Sequence, residues 1–180
     1  MTARDILDFW FSDRVKALWF NSTAEFDREI TQRFEDLVVK AGAGELDHWQ
    51  QTPEGCISLI ILLDQLPLNM YRGKPGSFSY EDKALDVVRQ GLASNIDQSL
   101  SDTMRTFFYM PLMHSESLAD QDLAIQLYEE SGLESNLRFA KHHRELIQRF
   151  GRFPHRNAIL GRVSTPEEMA YLDSPEAFLG

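Results

Sequence analysis

Nine consecutive residues, Arg149-Phe-Gly-Arg-Phe-Pro-His-Arg-Asn157, contain three arginines, a histidine, an asparagine and two aromatics. Guanidinium groups present a planar fork of donors that matches carboxylates and phosphates. The run therefore reads as a site for something anionic. Two other short runs carry polar side chains just after a proline. Asn69 and Arg72 follow Leu66-Pro67-Leu68, and His114, Ser115 and Glu116 follow Met110-Pro111-Leu112.

Three functions fit these residues. In the first, Arg152, Arg156 and Arg72 hold a small anionic ligand or an acidic peptide, and Asn157 and Asn69 orient it. In the second, the chain is a hydrolase or transferase acting on a phosphorylated or carboxylated small molecule. His114 or His155 is then the general acid/base, Glu116 or Asp120 orients it, and the arginines stabilise negative charge. No nucleophile is identified, because Ser115 sits in no recognisable nucleophile motif. In the third, the chain is a scaffold. Its arginines pair with carboxylates such as Asp64, Glu116 and Asp120 and lock helices together.

The other polar groups narrow the chemistry. His114-Ser-Glu116 with Asp120 and Asp122 lacks the spacing of a zinc or calcium motif, so no metal and no cofactor is expected. No phosphate-binding or dinucleotide glycine pattern occurs. Cys56, the single cysteine, lies in the apolar run Cys56-Ile-Ser-Leu-Ile-Ile-Leu-Leu63 and reads as a small buried residue.

Charge bears on partners. The chain has 180 residues and a formal net charge of -10. Residues 138–162 nevertheless hold seven Lys/Arg against one acid, Glu145. A local basic patch in an acidic surround suits a small anion better than a polyanion, so nucleic acid is not an expected partner. No signal peptide or membrane-length apolar run is visible, and a cytoplasmic protein in a bacterial-type cell is expected. Neither charge nor periodicity specifies an oligomeric state.

The elements that must position these residues are helical throughout. The expected fold is all-α: a single domain over residues 1–180, built of sequential antiparallel helix pairs. Ala3–Phe11 is amphipathic. Ser22 or Thr23 caps a helix to about Gly42 with Phe26, Ile30, Phe34, Leu37 and Val38 inward. Thr52-Pro-Glu-Gly starts a central buried helix to about Leu66. Tyr80–Leu92 and Thr103–Met110 follow. Ser117 opens a helix whose inward residues are Leu118, Leu123, Leu127 and Tyr128. Leu133–Phe150 turns Leu137, Ala140, His143, Ile147 and Phe150 inward, and Gly151 caps it. Short segments near Asn157–Leu160 and Pro166–Leu172 end the chain. Each of Pro67, Pro111 and Pro154 is expected to end or kink a helix. The polar residues beside these three elbows could tie off broken helix ends, or could converge on one pocket.

The assembled motifs resemble a bacterial family, domain of unknown function family 924, placed in the tetratricopeptide-like helical superfamily. They are Leu7-Asp-Phe-Trp-Phe11, Leu62-Leu-Asp-Gln-Leu-Pro67, Asn69-Met-Tyr-Arg-Gly73, Phe108-Tyr-Met-Pro-Leu-Met-His-Ser-Glu116, Leu118-Ala-Asp-Gln121, Arg149–Asn157, Leu160-Gly-Arg162 and Ser164-Thr-Pro-Glu-Glu168. The resemblance implies a tetratricopeptide-like right-handed array of helix pairs and no particular activity. One position departs from the family pattern. Leu68 stands where the family usually has arginine, which removes a donor from the first elbow.

Overall fold

The computed structural model describes residues 1–180. It is helical, without a strand. The chain divides into two compact units. The first comprises residues 1–72 and 76–111, the second residues 73–75 and 112–180.

The first unit contains α1 (Ala3–Trp10), α2 (Asp13–Lys16), α3 (Ala24–Gly42), α4 (Pro53–Ile60), α5 (Leu66–Met70), α6 (Glu81–Ala93) and α7 (Asp102–Phe108). Side-chain caps fix several starts. Thr23, Thr52 and Ser101 each accept a backbone N–H from the first turn of their helix. Phe26, Ile30, Phe34, Leu37 and Val38 form the buried stripe of α3, as the sequence predicts. Phe9 on α1 packs on two of them, with ring centroids 6.1 Å from Phe26 and 4.7 Å from Phe34. Trp10, Trp19 and Phe107 form a second aromatic group, in which the Trp19 indole donates to the Trp10 carbonyl at 3.0 Å. The segment from Cys56 to Leu66 is buried all round.

The three proline steps interrupt the helices in different ways, and α7 ends at Phe108, just before the Met110-Pro111 step, as the sequence predicts. At Pro67 the helical path continues. One π turn, Ile61–Gln65, closed by the Leu66 amide donating to the Ile61 carbonyl, precedes α5. Widening the helix by one residue relieves the clash a proline ring makes with the carbonyl four residues back. Pro111 lies in the first turn of α8 (Met110–His114), where its missing donor has no helical partner to lose. Only at Pro154 does the chain break cleanly: Phe153 is extended, at φ -86° and ψ 110°, before a short 3-10 turn.

The second unit is built on the hairpin of α9 (Leu118–Glu130) and α10 (Glu134–Phe150), followed by α11 (Pro166–Leu172). Gly132, at φ +67°, makes the turn between them, and Leu133 donates its amide to the Tyr128 carbonyl. α10 buries Leu137, Ala140, His143 and Ile147 as expected, and Leu146 with them, while Phe150, also expected inward, is only partly buried. α9 differs from expectation. Tyr128 is buried as expected, but the other buried residues are Asp120, Gln121 and Ala124, while Leu118 is exposed. The reason is local: the Gln121 amide donates to the Met113 and Ser115 carbonyls at 2.7 Å each, and Asp120 accepts from the Ser115 hydroxyl. Tying off the end of α8 takes precedence over burying a leucine. Residues 157–161 form turns rather than the short helix expected near Asn157–Leu160.

Candidate functional site: the imidazole cluster of the second unit

Gly151 ends α10 in the left-handed conformation, φ +71°, and the broken helix path at Pro154 turns the chain back on itself. Two ion-pair clusters hold this loop. Arg152 forks onto Glu168 at 2.7 and 2.8 Å and reaches the Val163 carbonyl. Glu168 also caps α11: its side chain accepts the Thr165 amide at 2.8 Å while its own amide is accepted by the Thr165 hydroxyl. Asn157, 1% exposed, donates to Ser164 and Glu168. Hydrogen bonding from Arg152 outweighs burial and holds the Glu168 carboxyl down to about 2.

Arg162 forks onto Glu116 at 2.6 and 2.9 Å, and its remaining donors reach Asn157 and the Phe153 carbonyl. Glu116 also accepts the Phe153 amide at 2.8 Å. Burial would raise the Glu116 pKa, but Arg162, the Phe153 amide and the nearby charge of Arg156 together hold it below the usual range. Farther along the basic run, Arg149 pairs with Glu167 and Arg144 with Asp122. Much of the positive run of residues 138–162 is thus matched to carboxylates within the fold.

Behind these pairs lies a group of imidazoles. The His143 ring centroid is 5.4 Å from Phe153 and 4.7 Å from Phe178, and His155 is 5.6 Å from Phe153 and 5.0 Å from Phe178. His142 flanks Phe178 at 6.1 Å. Arg156, 5% exposed, donates to the His114 carbonyl at 3.0 Å, and its guanidinium lies over the Phe153 ring. His143 Nδ1 is 2.8 Å from the Phe139 carbonyl. A carbonyl only accepts, so Nδ1 carries the proton and Nε2 is a bare lone pair. Burial pushes the His143 pKa down to about 3. Burial and then the Arg156 charge push that of His155 down to about 4. Both rings are neutral near pH 7. His155 Nδ1 is buried and has no hydrogen-bond partner.

The eight residues singled out from the sequence therefore separate. His114, Glu116, Arg152, His155, Arg156 and Asn157 belong to the second unit. Asn69 and Arg72 belong to the first, where Asn69 donates to Ser22 and Asp27, and Arg72 pairs with Asp27 at 2.8 Å. Asp27 stays below the ordinary carboxylate range. Burial works against this and is overcome by the hydrogen bonds from Arg72, Ser22 and Asn69. Four participants in the second unit were not assigned roles from sequence: Arg162, Glu168, Tyr171 and Phe178. The Thr165-x-x-Glu168 spacing signals the capping role of Glu168; nothing local signals Phe178.

The fold and the elbow motif define a helical protein with a cluster of neutral imidazoles packed on Phe178 beside a buried arginine. The chain belongs to a family described as bacterial protein of unknown function (DUF924), whose pattern matches residues 6–176. It is similar to a solved structure described as a protein of unknown function, ATU0120, from Agrobacterium tumefaciens. The two are 39% identical with a TM-score of 0.90, and the match covers 95% of this chain and 96% of that one. Comparison with curated proteins found no match. No helix is long and apolar enough to cross a membrane.

Proposed function

We propose that this protein binds a small anionic ligand in the second unit, through His155 and Arg156, with His114 and His143 lining the same pocket. The observation that carries this reading is the buried His155 Nδ1 with no internal partner. A buried polar atom left unpaired costs about 1–3 kcal/mol. Its position beside the largely buried Arg156 fits an atom kept for a ligand that the fold does not itself supply. A protonated Nδ1 donates to a carboxylate or phosphate oxygen, and the Arg156 charge favours that oxygen being anionic.

In this reading Arg152, Arg162, Glu116, Glu168 and Asn157 are structural. Their hydrogen bonds to one another support the assignment, and they hold the loop that presents His155. The matched charges of Arg144, Arg149, Arg152 and Arg162 favour a small ligand over an acidic peptide or a nucleic acid. The α9–α10 hairpin and the short connections support a tetratricopeptide-like array as the frame.

Thermal unfolding in the presence of acetate, phenylacetate and inorganic phosphate tests the proposal. At least one should raise the midpoint of the wild type and of Arg72→Ala but not of His155→Ala. Equal shifts in wild type and His155→Ala would refute the assigned site.

A further inference from the structure

We infer that the ligand of this pocket is a small aromatic carboxylate, whose ring takes the place now held by the Phe178 side chain. This rests on the reading of the pocket as an anion site. The slot itself is the first argument. The Phe178 ring is met edge-on by His143, His155 and His142, at interplanar angles of 63°, 87° and 78°. Such edge-to-face geometry suits a flat aromatic ring and gives an alkyl chain no comparable contact.

The way Phe178 is held is the second argument. It lies beyond α11, on a segment with no regular structure from Ala177 to Gly180. Phe178 packs on the cluster of Leu146, Ile147, Phe153 and Tyr171, the Ala177 amide donates to the Ser174 carbonyl at 3.2 Å, and one side chain supplies the remaining hydrogen bonds. The Tyr171 hydroxyl accepts the Phe178 amide at 2.8 Å and donates to the Glu176 carbonyl at 3.4 Å. Leu179 is 72% exposed and adds no anchor. A terminal strap held by a few hydrogen bonds and one ring opens locally at less cost than global unfolding.

The chemistry beneath the ring is the third argument. The unpartnered His155 Nδ1 and the Arg156 guanidinium belong to the same cluster as Phe178. Phe178 itself offers neither of them an acceptor from its side chain. Gly180 lies against His155, so close that a Cβ there would come within 3.2 Å of the imidazole. Gly180 meets the Cδ2–Nε2 edge of the ring, so the strap fills the ring slot and leaves Nδ1 without a partner. A ligand with a ring and a carboxylate would fill the slot and partner Nδ1.

The test compares three probes by calorimetric titration: phenylacetate, acetate and benzyl alcohol. The proteins are wild type, Phe178→Ala, Tyr171→Phe and His155→Ala. Phenylacetate is expected to bind Phe178→Ala about tenfold or more tightly than wild type, because the strap no longer competes. Tyr171→Phe, which keeps both rings and loses only the tie, should shift affinity in the same direction. Acetate and benzyl alcohol should each bind more weakly than phenylacetate by about tenfold or more. Acetate binding as tightly as phenylacetate, with dependence on His155, would overturn the aromatic class and leave the anion site standing. Unchanged phenylacetate affinity in both strap variants would overturn the replacement of Phe178. If no probe binds any of the folded proteins, the aromatic carboxylate is overturned, and the anion site falls with it when inorganic phosphate also fails to bind.

Discussion

Arg152 and Glu168 meet through two near-parallel hydrogen bonds of 2.7 and 2.8 Å, and the carboxylate is only 2% exposed. The same carboxylate caps α11 and receives Asn157, so three segments of the second unit converge on one residue. Removing one partner of a buried pair leaves the other charge without compensation, at a cost of about 3–5 kcal/mol. Glu168→Ala should lower the urea unfolding free energy by about 3 kcal/mol. Arg149→Ala breaks a solvent-exposed pair with Glu167 and should cost about 0–1 kcal/mol. Similar losses in the two variants would contradict the ranking.

Glu116 and Arg162 should prove coupled. Their bidentate contact is partly screened, the side chains being 28% and 22% exposed. A double-mutant cycle with Glu116→Gln and Arg162→Met is expected to give an interaction energy of about 1–3 kcal/mol. A coupling near zero would show that the fork adds nothing to the stability of the loop.

Stability should fall on acidification, and the sign follows from the histidines. In the unfolded chain an imidazole takes up a proton near pH 6.5. In the fold, His155 resists until about 4 and His143 until about 3. The unfolded state therefore binds more protons across this window. The stabilisation is complete above pH 6.5 and declines as pH falls toward 4 and 3. Glu168, lowered to about 2 from 4.5, adds a loss of the same sign at more acid pH. Between pH 7 and pH 5 the two histidines should each remove about 1–2 kcal/mol, read from urea midpoints. A His143→Phe variant should show a shallower dependence; an unchanged slope would mean that His143 is not buried neutral.

Gly55 should tolerate no side chain. A Cβ at that position would lie 2.1 Å from the Trp49 carbonyl oxygen, which is backbone and has no rotamer to change. Gly55→Ala is expected to destabilise by about 2 kcal/mol or more, despite the higher helix propensity of alanine. A neutral or stabilised variant would show that the turn before α4 repacks freely.

Local rules made part of this structure legible in the sequence. The Thr52-Pro start of α4, the Thr23 cap, the Gly151 terminus and the inward face of α10 each depend on residues within a turn or two of one another. The proline steps mark interruptions that the sequence locates but does not specify: α7 ends just before Pro111, while a π turn before Pro67 carries the helical path onward. The face of α9 was misread because the periodicity of its leucines says nothing of carbonyls awaiting Gln121. The candidate site was half legible. The run Arg149–Asn157 marked its location by composition. The partners that decide its chemistry lie far along the chain: Arg162 is 46 residues from Glu116, and Phe178 carries no motif.

The pocket itself is tested most directly by imidazole nitrogen NMR of protein labelled with 15N histidine, titrated at pH 7 with phenylacetate and then acetate. The account predicts that His155 Nδ1 moves to a saturating end point with at least one of them, while His48, in the first unit, does not move. A His155 signal that stays fixed in both titrations, in protein that remains folded, would contradict it.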